Sequence, residues 1–282
     1  MKIYHYTTID TLSLILKNKT IRFNRLDNGL DDLQEGLVSS NGVKLGNYGF
    51  ISCWTENKED SIPLWKMYTD NGTGVRIGIE KDMFKDYYYP DIVEFNGIRI
   101  DAKGSGWKVT KTPIEDMFNP DFMVFTLLPS EIDKGNFYRA VEYVDDINKM
   151  MDNSVCFTPV SNNYNLIHVE YSKIGRFKNK RWAFEEETRF FLFIIPGMKF
   201  EMNQQVNMMF NQHLYDVWTK NIKNTISFYD MHLKKEVFDN LEITLSPHIA
   251  PTKRIIVEAL RDKYAPRASI RNSGLDGSVK MK

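Results

Sequence analysis

A chain of 282 residues with 37 Lys plus Arg against 37 Asp plus Glu carries no net charge, so no global field draws it toward nucleic acid or anionic lipid, and a polyanion site would have to be a local patch. Its two cysteines, Cys53 and Cys156, cannot build a disulfide framework or a Cys-x-x-Cys site. Met1–Asp10 is too polar for a secretory signal and the longest apolar run, Phe190–Ile195, is far too short to span a bilayer, so the expectation is a cytoplasmic protein with no membrane partner.

Lys2–Tyr6 alternates as a strand does, with Ile3 and His5 on one side and Tyr4 and Tyr6 on the other. Thr7, three residues before Asp10, predicts a capped helix start, and Ile9, Leu12, Ile15 and Leu16 continue that helix to Lys19. Ile21–Asn24 reads as strand, Asp31–Leu37 as helix with acids in its first turn, and Asn47–Trp54 as strand. Ser61–Tyr68 predicts a short helix ended by Asn71-Gly72; Gly74–Ile79 and Ile92–Ile100 follow as strands. From 101 to 136 glycines, prolines and charges break every period, which marks an insertion or lid with some helix at Ile114–Phe118. Tyr138–Val144 resumes as strand, and Thr188–Ile195, apolar on both faces, reads as a central one.

In the last third, Val206, Phe210, Leu214, Val217 and Ile222 stripe a helix. Strands near Ser227–His232 and Leu241–Leu245, a helix over Thr252–Tyr264 and a strand at Ala268–Asn272 complete the chain. No internal repeat is present. The simplest architecture is one α+β domain over 1–282, with 200–282 as its C-terminal helical and strand decoration.

Familiar nucleotide and metal motifs are missing. Gly72-Thr73-Gly74 with Gly78 precedes a strand instead of opening a helix, which excludes a Rossmann fingerprint. His5, His168, His213, His232 and His248 lack ligand spacing, so no metal site is expected on them. Asp31, Asp32 and Glu35 could cluster around a hard cation, but acids in a helix's first turn explain them more simply. Lys178, Trp182, Glu185, Glu187 and Arg189 stand just before or within the central strand. A strand beginning by Glu185 would put Glu185, Glu187 and Arg189 on one face, neighbouring acids about 7 Å apart. That polar mouth above Phe191 and Phe193 suits a perturbed carboxylate, while a solvated ion pair is the bland alternative. His5 is either a satisfied core histidine or a ligand contact. Trp65 and Tyr68 form either a stacking wall or packing. Ser172–Arg181 holds five cations that could meet phosphate or RNA, or merely face solvent.

Taken together, Tyr4-His5-Tyr6-Thr7, Arg22-Phe23-Asn24, Asp31-Asp32 with Glu35, Ser52-Cys53-Trp54-Thr55, Leu64-Trp65-Lys66-Met67-Tyr68 with Gly74, the set Lys178, Trp182, Glu185, Glu187 and Arg189, and the ending Ile243-Thr244-Leu245-Ser246-Pro247 resemble a bacterial family catalogued as domain of unknown function 2971. The family often has Asn-Asp-Pro where this chain has Asp31-Asp32-Leu33, and Met-Trp in place of Leu64-Trp65. More distantly the pattern resembles the ADP-ribosyltransferase superfamily, whose His-Tyr-Glu class matches His5, Tyr68 and Glu187 by order, with Glu185 similar to a paired glutamate.

That resemblance implies a mixed, mainly antiparallel split sheet with flanking helices, and ADP-ribose transfer from NAD to a protein or nucleic-acid acceptor, or NAD glycohydrolysis, in a toxin or phage-defence effector. It implies Glu187, Glu185, His5 and Tyr68 as catalytic residues. The implied NAD contacts are His5, Tyr6, Thr7, Trp65, Tyr68, Lys178 and Arg189. The competing expectations are a nucleic-acid-binding or RNA-targeting effector and a catalytically inactive binding module on the same scaffold. The first reading requires His5, Tyr68 and Glu187 to line one cleft, and an imidazole sealed in packing or turned across the sheet from the acid would end it.

Overall fold

A computed structural model describes residues 1–28, 31–95, 98–125, 137–161, 164–199 and 206–280. Residues 126–136 of the expected insertion or lid at 101–136, and 200–205 at the start of the expected C-terminal decoration, lie outside these residues. Ten strands make one sheet: β1 Lys2–Thr7, β2 Thr20–Arg25, β3 Gly49–Thr55, β4 Val75–Glu80, β5 Phe122–Val124, β6 Tyr138–Ala140, β7 Glu187–Pro196, β8 Phe228–His232, β9 Glu242–Leu245 and β10 Ser269–Asn272. The order is β5-β7-β3-β1-β4-β9-β10, with β6 also on β7 and β2 branching from β3 to carry β8. Within this sheet only β9 and β10 run parallel. The fold is therefore α+β with a mixed, mainly antiparallel sheet and flanking helices.

The spine is β7, whose ten residues are all buried. Its period of two sends Phe190, Leu192 and Ile194 into a core with Ile3, Trp54 and Ile77 on one face. Phe191, Phe193 and Ile195 enter a second core with Ile51, Tyr48 and Trp218 on the other. Burying each such side chain contributes about 1.5–3 kcal/mol, so a strand that is apolar on both faces is stable only between two layers.

The sheet forks at β3. Thr55, its last residue, pairs with Tyr4 of β1, whereas Ile51 and Phe50 pair with Asn24 and Arg25 of β2. Between these pairings β1 and β2 diverge, leaving Ser52 and Cys53 at the crotch. Helix α1, Ile9–Asn18, joins the two branches and buries Leu12, Ile15 and Leu16 at helical spacing. It ends at Lys19, in the left-handed conformation with φ 58°, whose N–H donates to the Ile15 carbonyl.

Several local expectations need correction. The helix cap is Thr8, accepting from Thr11 N, because Thr7 is still in β1 opposite Val75. Asp31–Leu37 contracts to one turn, α2 Leu33–Gly36, capped by Asp32. Ile92–Ile100 is a hairpin of Ile92–Phe95 with Ile98–Asp101. Tyr138–Val144 breaks after Ala140: β6 pairs with β7, and Glu142–Val144 turns to a parallel pairing with Phe177–Asn179. The ribbon of Val155–Ser161 with Tyr164–Val169 was not anticipated. Helix α3, Ile62–Tyr68, is capped by Ser61, and Asp70, Asn71 and Gly72 follow with positive φ.

Candidate functional site

A cavity of 350 Å³ opens at the fork and is lined by His5, Tyr6, Tyr68, Lys178, Glu185, Glu187 and Arg189. Its lining comes from both faces of the sheet, because the missing β1–β2 pairing leaves a passage beside β3. The size falls at the lower end of the range for small-molecule sites, roughly 300–1,000 Å³.

A buried charge cluster forms one wall. Arg189 grips Glu187 through Nε to Oε1 at 2.6 Å and Nη2 to Oε2 at 2.9 Å, and its Nη1 donates to Gly175 O at 3.1 Å and to Glu35. Lys178 Nζ donates to Glu185 Oε2 at 2.5 Å and Glu187 Oε2 at 3.1 Å, with Glu35 at 3.8 Å. Three carboxylates thus face two cations, so full ionisation would leave a buried negative charge without compensation. The acids divide accordingly. Burial opposes the charge on Glu187, but Arg189 and Lys178 overcome it and hold the carboxyl at about 2. For Glu185, burial and the neighbouring Glu187 outweigh Lys178, and its pKa is raised; burial raises Glu35 as well, against Arg189.

The entry to β7 explains how two nearby acids both face inward. The condition for placing Glu185, Glu187 and Arg189 on one face, a strand beginning by Glu185, is not met: Lys180–Glu185 is a 3₁₀ segment and β7 begins at Glu187. Glu186 links them in the left-handed conformation, φ 46° and ψ 48°, and its own carboxylate points outward to Asn57 Nδ2 at 2.8 Å. One αL residue between the 3₁₀ segment and the strand therefore turns Glu185 back toward the cluster.

Tyr68, the last residue of α3, donates its hydroxyl to Glu185 Oε1 at 2.6 Å. Burial first, then Glu185 and Asp31, push the phenol up, so the hydroxyl keeps its proton at neutral pH. Asp31 also lines the cavity.

His5 reaches the cavity differently. Glu187 pairs with Thr55, and Thr55 with Tyr4, so those three share a face and His5, one residue on, belongs to the opposite one. Its ring packs on Trp54 with centroids 5.1 Å apart, and Nδ1 lies 2.8 Å from the Cys53 carbonyl at the fork. A carbonyl only accepts, so Nδ1 carries the proton and Nε2 is left as an acceptor. Burial lowers the imidazole pKa against that hydrogen bond, so His5 is neutral at pH 7.

Other nominated residues stand elsewhere. Trp65 is fully buried against Tyr6, ring centroids 4.9 Å apart, and neither Trp65 nor Thr7 lines the cavity. Tyr6 lines it but uses its hydroxyl to accept from Ser61 N at 2.9 Å. The three acids near α2 part company: Asp32 caps, Glu35 enters the charge cluster and Asp31 faces the cavity. In the basic stretch, Lys173, Arg176, Lys178 and Lys180 each pair with a carboxylate, which weakens it as a phosphate-binding surface. Sequence reasoning missed Cys53, which lines the cavity and whose thiol is pushed well up by burial and Glu187. It also missed Tyr143, whose hydroxyl accepts from Glu187 N at 2.8 Å; no local spacing signals either one.

Among the described residues no group of three or more His, Cys, Asp or Glu is placed to hold a metal ion, and no helix is long and apolar enough to cross a membrane. No curated protein and no solved structure matches the chain. Residues 64–190, from α3 into β7 and including Tyr68, Lys178, Glu185, Glu187 and Arg189, match the model of a family described as protein of unknown function, DUF2971.

Proposed function

We propose that the fork cavity cleaves the bond between nicotinamide and ribose in NAD and passes ADP-ribose to a macromolecular acceptor or to water. The observation that supports this reading is that Tyr68, Glu185 and Glu187, brought together from α3 and the entry to β7, line one cavity; His5 reaches that cavity from the opposite face of the sheet to Glu187, so the reading gives it no part in the reaction. In the reaction the C1′–N bond breaks, its electron pair leaves with the nicotinamide nitrogen, and positive charge develops on the ribose. Glu187, held ionised by Arg189 and Lys178, is a poor proton acceptor and a steady negative charge beside that centre. Glu185, whose pKa is raised, is the acid-base member: it takes the proton of the oxygen that attacks C1′. Tyr68 stacks on the leaving ring and, through its hydroxyl, orients Glu185.

The test is release of nicotinamide from NAD, with cell protein and RNA present as acceptors. The folded parent releases it. Glu185→Gln, which keeps the Tyr68 hydrogen bond, loses at least tenfold, about 1.4 kcal/mol of barrier, at a melting temperature no lower than the parent's. A well-folded parent that releases none removes the proposal.

A further inference from the structure

We infer that the fork cavity selects a cationic, phosphate-free riboside, an N-ribosyl pyridinium, and leaves the diphosphate half of a dinucleotide outside. The inference builds on the cleavage reading above for its choice of ligand, but the selection itself follows from the charges on the wall.

Three cations line the cavity, and each is already used. Lys178 is shared between Glu185 and Glu187, and Arg189 is spent on Glu187, Glu35 and Gly175 O. Arg22, at the far end, forms a fork on Asp230 with Nε–Oδ1 of 2.9 Å and Nη2–Oδ2 of 3.0 Å. A phosphate would have to displace a carboxylate that is already bidentate or buried, and would enter against the remaining acids. The lining bears Asp31, Glu185, Glu187 and Asp230 against Arg22, Lys178 and Arg189. No ion pair joins Asp31 to a cation among the described residues; its exposed carboxylate, beside the Tyr68 hydroxyl, adds negative charge at the rim that a positive ligand can meet.

Two further features point the same way. The neutral His5 lines the cavity with Nδ1 already committed to the Cys53 carbonyl, so it brings no positive charge to hold a phosphate. Tyr68 and Trp54 add aromatic walls, against which a pyridinium gains cation–π attraction of roughly 0.5–2 kcal/mol. At 350 Å³ the space suits a nucleoside better than a dinucleotide.

The experiment measures calorimetric binding of nicotinamide riboside, its neutral dihydro form and nicotinamide mononucleotide to the full chain, beside nicotinamide release from the riboside and from NAD. The cationic riboside should bind at least tenfold more tightly than either the mononucleotide or the dihydro form. Asp31→Asn, a rim change, should reduce the preference for the cation without altering the melting temperature. A mononucleotide that binds as well as the riboside, or no saturable binding of the riboside, overturns the inference. The two proposals fail separately. Preferential riboside binding with no release from either compound leaves the selection standing and ends the cleavage reading, whereas NAD cleavage with tighter mononucleotide binding does the reverse.

Discussion

Arg189 and Glu187 lie two residues apart on one strand face and close a two-bond fork, Nε–Oε1 2.6 Å and Nη2–Oε2 2.9 Å, with the guanidinium fully buried. Removing one partner from such a pair strands the other charge. Glu187→Gln is therefore expected to lose about 3–5 kcal/mol of stability, and its lost activity alone says little about chemistry. The pair also sets an acid limit. Glu187 drops from 4.5 to about 2 on folding, so its contribution is complete above pH 4.5 and disappears as the pH falls through about 2. On the order of 3 kcal/mol is lost across that window. Denaturant unfolding between those pH values should show a steeper decline in the parent than in Glu187→Gln; equal slopes would refute the assignment.

Glu185 has the opposite sign. Its folded pKa is raised, so the stability tied to its protonated form is full below 4.5 and is lost as the pH rises through the higher folded value. Glu185→Gln should thus match the parent at acid pH and be at least as stable at pH 8, while losing activity. Tyr68→Phe removes the hydroxyl that donates to Glu185 Oε1 and should cost about 1 kcal/mol. In an active protein it also moves the acid limb of the kcat profile, which a merely structural tyrosine would not do.

The strands carrying the site were legible because apolar period-two runs have few other solutions: Lys2–Tyr6 and Thr188–Ile195 correspond to β1 and β7. The nomination of Glu187, Glu185 and Lys178 came from their density before that strand, and they do meet. Their geometry was not legible, since an αL residue at Glu186 has no signature in a glutamate. Glu35 joins the cluster through a tertiary contact with Arg189 from a distant turn, and local spacing carries no information about that. Trp65 shows why spacing leaves two alternatives open: an aromatic three residues before Tyr68 can share a wall with it or sit in the layer beneath, and tertiary packing puts this one beneath, against Tyr6.

The Glu186 turn yields a direct test. A β-branched residue is poorly tolerated at φ 46°, at a cost of roughly 1–2 kcal/mol. Glycine and asparagine adopt that conformation readily. Glu186→Val should melt earlier and release nicotinamide more slowly because Glu185 is turned away, while Glu186→Asn retains both properties. Equal behaviour of the two variants would mean that the turn does not position Glu185.

Arg139 stands directly across from Arg189 in the β6–β7 register. It is 5 % exposed, lies 4.0 Å over the Phe191 ring and has no carboxylate partner among the described residues. Its Nη1 donates to the Tyr171 and Ser172 carbonyls at 3.2 and 2.7 Å, while Nε and Nη2 are unpaired. Burial, with Arg176 and Arg189 nearby, pushes it down to about 9, so it is a costly cation. What it holds is the turn whose Gly175 carbonyl accepts from Arg189, which makes it a positioning residue for Glu187. Arg139→Met removes the desolvation cost and should unfold no more readily than the parent at neutral pH. Because the depressed pKa penalises the folded parent only while the arginine is charged, that advantage narrows as pH rises above about 9. Activity should move the other way, with kcat falling several-fold as the Tyr171–Gly175 turn loosens and Arg189 loses its carbonyl anchor. A variant that is both destabilised and fully active would show that Arg139 serves the core and not the site.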